Sequence, residues 1–234
     1  MKDLFLRRWD LLLLLGMQAV FVLWPQIDLI AAGWLYDPQE EFFLASNPLV
    51  QFSYHVFADL HIFILITLVW LFVASWTWRR RTEAGLRRRI LFLFLALALG
   101  PGLVVNGILK SESGRARPDQ VEPFGGQKIF TEVFTPADQC SRNCSFVSGH
   151  ASMGFYLIAL GWVTCRRRWF AVGVVAGALV GFGRMAQGAH FLSDVVFAFW
   201  AVYGVCFLLA WWLLDQRSVG DCPRAPPAAG ARVS

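Results

Sequence analysis

Most of this chain is divided into apolar runs of roughly 20 residues, and that length leaves few folds open. Inside hydrocarbon every backbone N–H and C=O must find its partner within the protein, so such a run becomes a helix crossing the bilayer. Six runs can be drawn, at about 11–36, 60–78, 90–109, 148–165, 169–187 and 191–214. The expected protein is therefore all-α and polytopic, with a six-span domain over 1–214. The Pro, Ala and Gly content of 215–234 predicts a disordered tail.

Charge orients the spans. Arginine clusters at Arg79, Arg80 and Arg81, at Arg87, Arg88 and Arg89, and at Arg166, Arg167 and Arg168 flank apolar runs, as cytoplasmic anchors do. A dedicated lipid-headgroup patch is the lesser reading. With the N-terminus inside, every cluster and the tail are cytoplasmic, while 37–59, 110–147 and 184–194 lie outside. The formal charge of +5 resides in these flanks, which argues against a nucleic-acid partner. A cleavable signal at the N-terminus is a minor alternative, because the first run is long and is interrupted by Pro25 and Asp28. The stretch 37–59 is expected to lie along the membrane surface, and Pro101 with Gly102 predicts a kink in the third span.

Cys140 and Cys144 share a short outer loop, where a disulfide can persist, although spacing alone does not prove one. Two thiols without a nearby His are an incomplete metal-ligand set, so no metal site is expected.

Three polar stretches fall on the outer side: 110–118, which opens with Lys110 and closes with Arg117 and Pro118; Ser148, Gly149 and His150; and 183–194, which holds Arg184, His190 and Asp194. Lys110, Arg117 and Arg184 supply three cations, and arginine forks match phosphate oxygens two at a time. Ser148 and Gly149 begin a helix, where free N–H groups and the helix dipole favour an anion. Two histidines remain, enough for one to attack phosphorus and the other to protonate the leaving oxygen. His190 and Asp194, four apart, share a helix face. Each stretch alone has a plainer reading, as interfacial anchor, helix cap or structural pair; their placement together favours chemistry.

Lys-x6-Arg-Pro over 110–118, Ser-Gly-His over 148–150 and Arg-x5-His-x3-Asp over 184–194 resemble the three signature motifs of the type 2 phosphatidate phosphatase superfamily. That superfamily also includes bacterial acid phosphatases and vanadium haloperoxidases. The resemblance covers about 90–200. It implies that His190 is the nucleophile of a phosphohistidine, that Asp194 orients it, and that His150 is first the general acid and then the base. Lys110, Arg117, Ser148, Gly149 and Arg184 would hold the phosphoryl group, with no cofactor. Val147 replaces a usual Pro and Gly183 a usual Ser, so a hydrogen bond from position 183 is expected to be lost.

The expected activity is hydrolysis of a lipid phosphomonoester or pyrophosphate at the periplasmic face of a bacterial inner membrane. Lipid A and phosphatidylglycerophosphate are favoured over phosphatidate and undecaprenyl pyrophosphate. A lipid phosphotransferase or an undecaprenyl-pyrophosphate phosphatase using the same site is the alternative, and a non-catalytic phospholipid-binding transporter the remote one. The partner is a membrane lipid in its bilayer; the sequence does not specify an oligomeric state. Arg115 and Asp119 are candidates to shape the headgroup pocket, and Phe124, Gly125 and Gly126 a candidate lid. Glu112, His55 and His61 are read as surface residues, and Trp24, Trp34, Trp76 and Trp78 as interface anchors.

Overall fold

Proline decides where the first helices begin and end. The computed structural model describes residues 9–77 and 84–221. Helix α1 (Trp9–Leu23) stops before Pro25, which lacks an N–H, and α2 (Gln26–Gly33) leaves at 84° to it. The run expected to be the first span is therefore a bent helix pair, and its second arm carries Asp28 into the interior, 1% exposed.

Helix α3 (Pro48–Thr77) is a second departure. Pro48 occupies its first turn, where no N–H is needed, and the Asn47 side chain accepts from Leu49 N at 2.9 Å. The surface stretch expected over 37–59 thus shrinks to a loop over 37–47; the remainder belongs to a single 30-residue helix.

Helix α4 starts at Ala84–Leu97, widens into a π-helix over Ala98–Leu109 and closes with an α-turn at Lys110–Glu112. The predicted kink at Pro101 is instead this change of winding. The wider turn accommodates the missing N–H, and Asn106 Nδ2 donates to the Pro101 carbonyl at 2.7 Å. The run expected to be the fourth span is also interrupted: α5 (Gly149–Tyr156) and α6 (Ala159–Thr164) are separated by a tight turn at Leu157 and Ile158. Helices α7 (Arg167–Ala186) and α8 (Leu192–Leu214) complete the chain's long elements.

Helix α7 lies hard against α5, and glycine permits it. A Cβ at Gly177 would stand 2.1 Å from the Phe155 ring, and one at Gly173 2.2 Å from Ile158 N. Helix α8 packs on α4 and α5, and Trp162, Phe92, Phe191 and Val202 fill the core between them. Outward, α3, α7 and α8 present Phe63, Ile66, Trp70, Leu179, Phe182 and Trp212. Apolar faces this extended suit lipid rather than water.

By length and composition four helices can cross a membrane: Pro48–Ser75, Gly85–Glu112, Arg167–Ala186 and Leu192–Leu214. The bent pair α1 and α2 makes up to five. The molecule is thus all-helical with four or five candidate membrane helices, and among the described residues only two isolated bridges are of β type. Arg79 to Arg81, Trp78 and residues 222–234 of the tail lie outside the described residues. The described start of that tail is anchored: Gln216 is buried, and its Nε2 donates to the Trp162 carbonyl at 3.3 Å.

The loop joining α4 to α5 is fixed rather than free. Phe124 is buried against Tyr36 and Phe42, and a Cβ at Gly126 would lie 2.0 Å from the Gln120 carbonyl carbon. The segment proposed as a lid is therefore packed in place by aromatic contacts and a close backbone crossing. Glu112, His55, His61, Trp24 and Trp34 are exposed.

Candidate active site

Helix ends bring the three polar stretches together. Lys110 lies at the end of α4, Ser148 caps the start of α5, Arg184 lies in the last turn of α7 and Asp194 in the first turn of α8. The backbone ties them: Ser148 N donates to Asp194 O (3.1 Å), Ser145 N to Arg115 O (3.0 Å), and Asp119 N to Gly188 O (2.9 Å).

His190 is 1% exposed, between α7 and α8. Its Nδ1 lies 2.7 Å from the Ser145 carbonyl and 3.5 Å from Asp194 Oδ2. A carbonyl only accepts, so Nδ1 carries the proton and Nε2 keeps its lone pair. Burial pushes this imidazole down to about 4, with the hydrogen bond and charge of Asp194 opposing. At neutral pH it is uncharged, which is what a nitrogen nucleophile requires.

Asp194 is fully buried and every direction around it is filled. Oδ1 accepts from Arg115 Nη1 at 2.8 Å; Oδ2 accepts from Ser145 Oγ at 2.5 Å and from Phe191 N at 2.8 Å. The Phe191 contact reaches back over the first turn of α8, so the carboxylate also caps its helix. The i, i+4 spacing that pairs it with His190 is present, yet the nearer acceptor for the imidazole is the Ser145 carbonyl.

Arg115 corrects a sequence expectation. It is 2% exposed and lines neither the cavity at Lys110 and His150 nor the one at Arg117 and Lys128. Its Nη2 donates to Asp28 Oδ2 at 2.8 Å, its Nη1 also to Ser193 Oγ at 2.8 Å, and its Nε to the Thr131 carbonyl at 2.8 Å. The guanidinium plane lies over the Phe191 ring, 4.4 Å from its centroid. Asp28 in turn accepts from Ser193 N and Ser193 Oγ. One arginine thus holds two buried carboxylates, one from the first helix pair and one from the last helix. Asp119, the other headgroup candidate, is exposed.

His150, in the first turn of α5, stacks on Tyr54 of α3 with centroids 4.8 Å apart, and its buried Nε2 has no partner. The Arg184 guanidinium lies over the same tyrosine at 4.8 Å; its Nη1 donates to Gln187 Oε1 and its buried Nε is unpaired. Arg117 Nη2 donates to the Asn143 carbonyl at 3.0 Å. Lys110 is half-buried and has no acceptor among the described residues. Unpaired buried donors of this kind are costly unless an acceptor joins them, and an anion meets that need.

Ser148 is fully buried, and its Oγ accepts from Ala151 N at 3.4 Å, which leaves the hydroxyl proton for another acceptor. The N–H groups of Gly149 and His150 have no main-chain acceptor at the head of α5. A Cβ at Gly149 would stand 2.7 Å from Asn106 Oδ1, so glycine here admits the π-helix asparagine. Val147 is buried, and its peptide bond with Phe146 is cis. At Gly183 a Cβ would find Ser53 Oγ at 3.8 Å, ordinary contact distance, so the missing side chain leaves room rather than a clash. Cys140 and Cys144 are joined, with Cα atoms 5.6 Å apart, in the loop that carries Asn143.

Sequence reasoning missed Asp28, Tyr54, Ser145 and Asn143. Asp28 carried a signal, as a carboxylate within an apolar run; the others carried none, since a tyrosine, a serine and a loop asparagine are ordinary where they occur.

From Lys110, Gly149 and His150 a cavity of about 570 Å³ opens between α3 and α4, lined by Phe57, Leu65, Phe94, Leu97 and Met153. Its floor is polar and its walls are apolar. Among the described residues no group of three His, Cys, Asp or Glu is arranged to hold a metal ion.

Comparison with known proteins places the chain among relatives of known family. Residues 89–219 match the model of the PAP2 superfamily. A lipid A 4'-phosphatase of Francisella tularensis subsp. novicida is 37% identical over 198 residues, which is 80% of this chain and 89% of that one. A lipid A 4'-phosphatase of Rhizobium leguminosarum is 37% identical over 60% of this chain and 62% of its own. A lipid A 1-phosphatase of Rhizobium etli is 36% identical over 45% of this chain and 42% of its own. No solved structure matches.

Proposed function

The chain belongs to the PAP2 superfamily, and from that premise we propose that it is a membrane lipid A phosphatase acting through a phosphohistidine. The observation that carries the reading is that Lys110 and His150 line the polar end of an apolar cavity, with His190, Arg117 and Arg184 close enough to act on them electrostatically. An acylated substrate can keep its chains against Phe57, Phe94 and Met153 while its phosphate reaches Lys110 and His150. The similarity that extends over most of the chain is to 4'-phosphatases, and this supports the 4'-phosphate as the group removed.

In the first step His190 Nε2 attacks phosphorus and the P–O bond to the sugar breaks. His150, which takes up a proton once the phosphate anion lies beside it, gives that proton to the leaving oxygen. Lys110, Arg117, Arg184, the Ser148 hydroxyl and the free N–H groups of α5 neutralise the three equatorial oxygens. In the second step His150 takes a proton from water, the hydroxide attacks phosphorus, and the P–N bond breaks to release inorganic phosphate and His190. The Ser145 carbonyl keeps the proton on Nδ1 throughout, so that Nε2 remains the reacting nitrogen.

Six crossings accommodate this site, with α1 and α2 as a broken first span and α5 with α6 as a short fourth. Arg87 to Arg89 and Arg166 to Arg168 stand at the starts of α4 and α7, whose far ends carry Lys110 and Arg184, about 25–35 Å away. Arginine-rich ends favour the cytoplasm, which supports a site on the periplasmic side of an inner membrane with both termini cytoplasmic.

Purified protein given bisphosphorylated lipid A in the presence of EDTA is expected to release one phosphate, from the 4' position by mass spectrometry of the product. Release from phosphatidate or phosphatidylglycerophosphate, with lipid A left intact, would overturn the substrate. The pH profile offers a second check. Because burial keeps His190 unprotonated down to about 4, its acid limb in kcat/KM is expected near pH 4, well below that of a free imidazole. A limb near 6.5 that persists with a substrate whose phosphate does not titrate there would contradict a buried neutral nucleophile.

A further inference from the structure

A second cavity adjoins the first. It measures about 510 Å³ and is lined by Arg117, Gln120, Lys128, Asp138, Arg142 and Asn143 among others. Its size is that of a small-molecule site, and its walls are polar where those of the first are apolar. Asn143 lines both cavities, and its carbonyl accepts from Arg117. The two spaces therefore meet at Asn143, whose carbonyl holds Arg117.

The cavity wall is held in shape. Lys128 is anchored by its backbone, its N–H donating to Gln120 O (2.8 Å) and its carbonyl accepting from Glu122 N (2.9 Å). Its ammonium donates to Gln120 Oε1 at 3.0 Å, the same oxygen that accepts from Arg117 N. Opposite, the Cys140–Cys144 bond closes the loop carrying Arg142 and Asn143. Arg142 is exposed and has no ion pair among the described residues. Three cations face one carboxylate, Asp138, whose Oδ1 is engaged by Gln139 Nε2 at 2.6 Å.

The charge exceeds what one phosphate needs, since Lys110, Arg117 and Arg184 already surround that group. We propose that this cavity holds the uncut part of the headgroup: a sugar carrying a second anionic group, with Lys128 and Arg142 meeting the anion. The assignment rests on the lipid phosphatase reading and makes it more specific. It commits the substrate to a polar headgroup with two separated anions, the apolar groove taking the chains and the polar cavity the far phosphate.

The test compares wild type with Lys128→Ser/Arg142→Ser and with Arg142→Glu alone, a surface change that leaves the packed core untouched. Each is assayed on a bisphosphorylated disaccharide lipid and on its counterpart bearing only the phosphate to be cut. The ratio of kcat/KM between the two substrates is expected to fall about tenfold or more in both variants, mostly through KM. An unchanged ratio, or an equal fall for both substrates, overturns the subsite. Binding of the same two lipids to His190→Ala protein, with and without the cavity substitutions, is measured in parallel. If wild type cleaves neither lipid, the phosphatase reading fails, and the subsite still stands or falls on whether the substitutions weaken binding of the bisphosphorylated lipid selectively.

Discussion

His190→Ala is expected to lower phosphate release from lipid A by about 10⁴-fold or more, with the protein still folded. The size follows from what the residue does in the proposed reaction. Without Nε2 there is no atom to take the phosphoryl group, and a water molecule placed in the space would lack the alignment that the Ser145 carbonyl gives the imidazole. The loss should be independent of the leaving group. His150→Ala provides the contrast: its loss of about 10²–10⁴-fold should shrink with an activated aryl phosphate, whose leaving oxygen needs no proton. Acid-labile labelled protein after brief exposure to labelled substrate is expected for His150→Ala and not for His190→Ala. A His190→Ala protein retaining a tenth of wild-type activity would rule out the covalent route.

Arg115→Ala should do its damage to the fold. Arg115 lies between Asp28 and Asp194, both at 2.8 Å and all three almost fully buried. Removing one member of a buried ion network leaves uncompensated charge, at a cost of about 3–5 kcal/mol, and here two carboxylates are stranded together. Thermal unfolding in detergent is the measurement, and a loss of most folded protein, or a large fall in Tm, is expected. Asp28→Asn should be milder, because Arg115 keeps Asp194 and the amide can still meet Ser193. A melting temperature for Arg115→Ala within a degree or two of wild type would mean that the network contributes little to holding the first helix pair against the last.

Much of this protein was legible from local pattern. Apolar runs with arginine at one end identify α3, α4, α7 and α8, because a helix in lipid satisfies its own backbone and needs no distant partner. The three motifs could likewise be read as one site. Each lies at the end of an apolar run, and the alternation of run and loop already puts those ends on the same side. The departures in the fold also have local causes, although their outcomes do not. Pro25 was visible as an interruption, but nothing nearby says that the chain turns through 84° rather than kinks and continues. Pro101 was visible as a kink, whereas the π winding that absorbs it depends on Asn106 and on the helices around it.

The sequence by itself determined the class of protein and which polar stretches gather at the helix ends, since these follow from hydropathy, charge and spacing. Only the tertiary structure decided what surrounds those residues. Asp28 meets Arg115 across 87 positions and Ser193 across 165, and His190 finds the Ser145 carbonyl across 45. A partner that distant is chosen by how helices pack, where small differences in crossing and register decide which buried donor reaches which acceptor. That is why Arg115, in the sequence only a candidate to shape the headgroup pocket, is the cation between the two buried carboxylates.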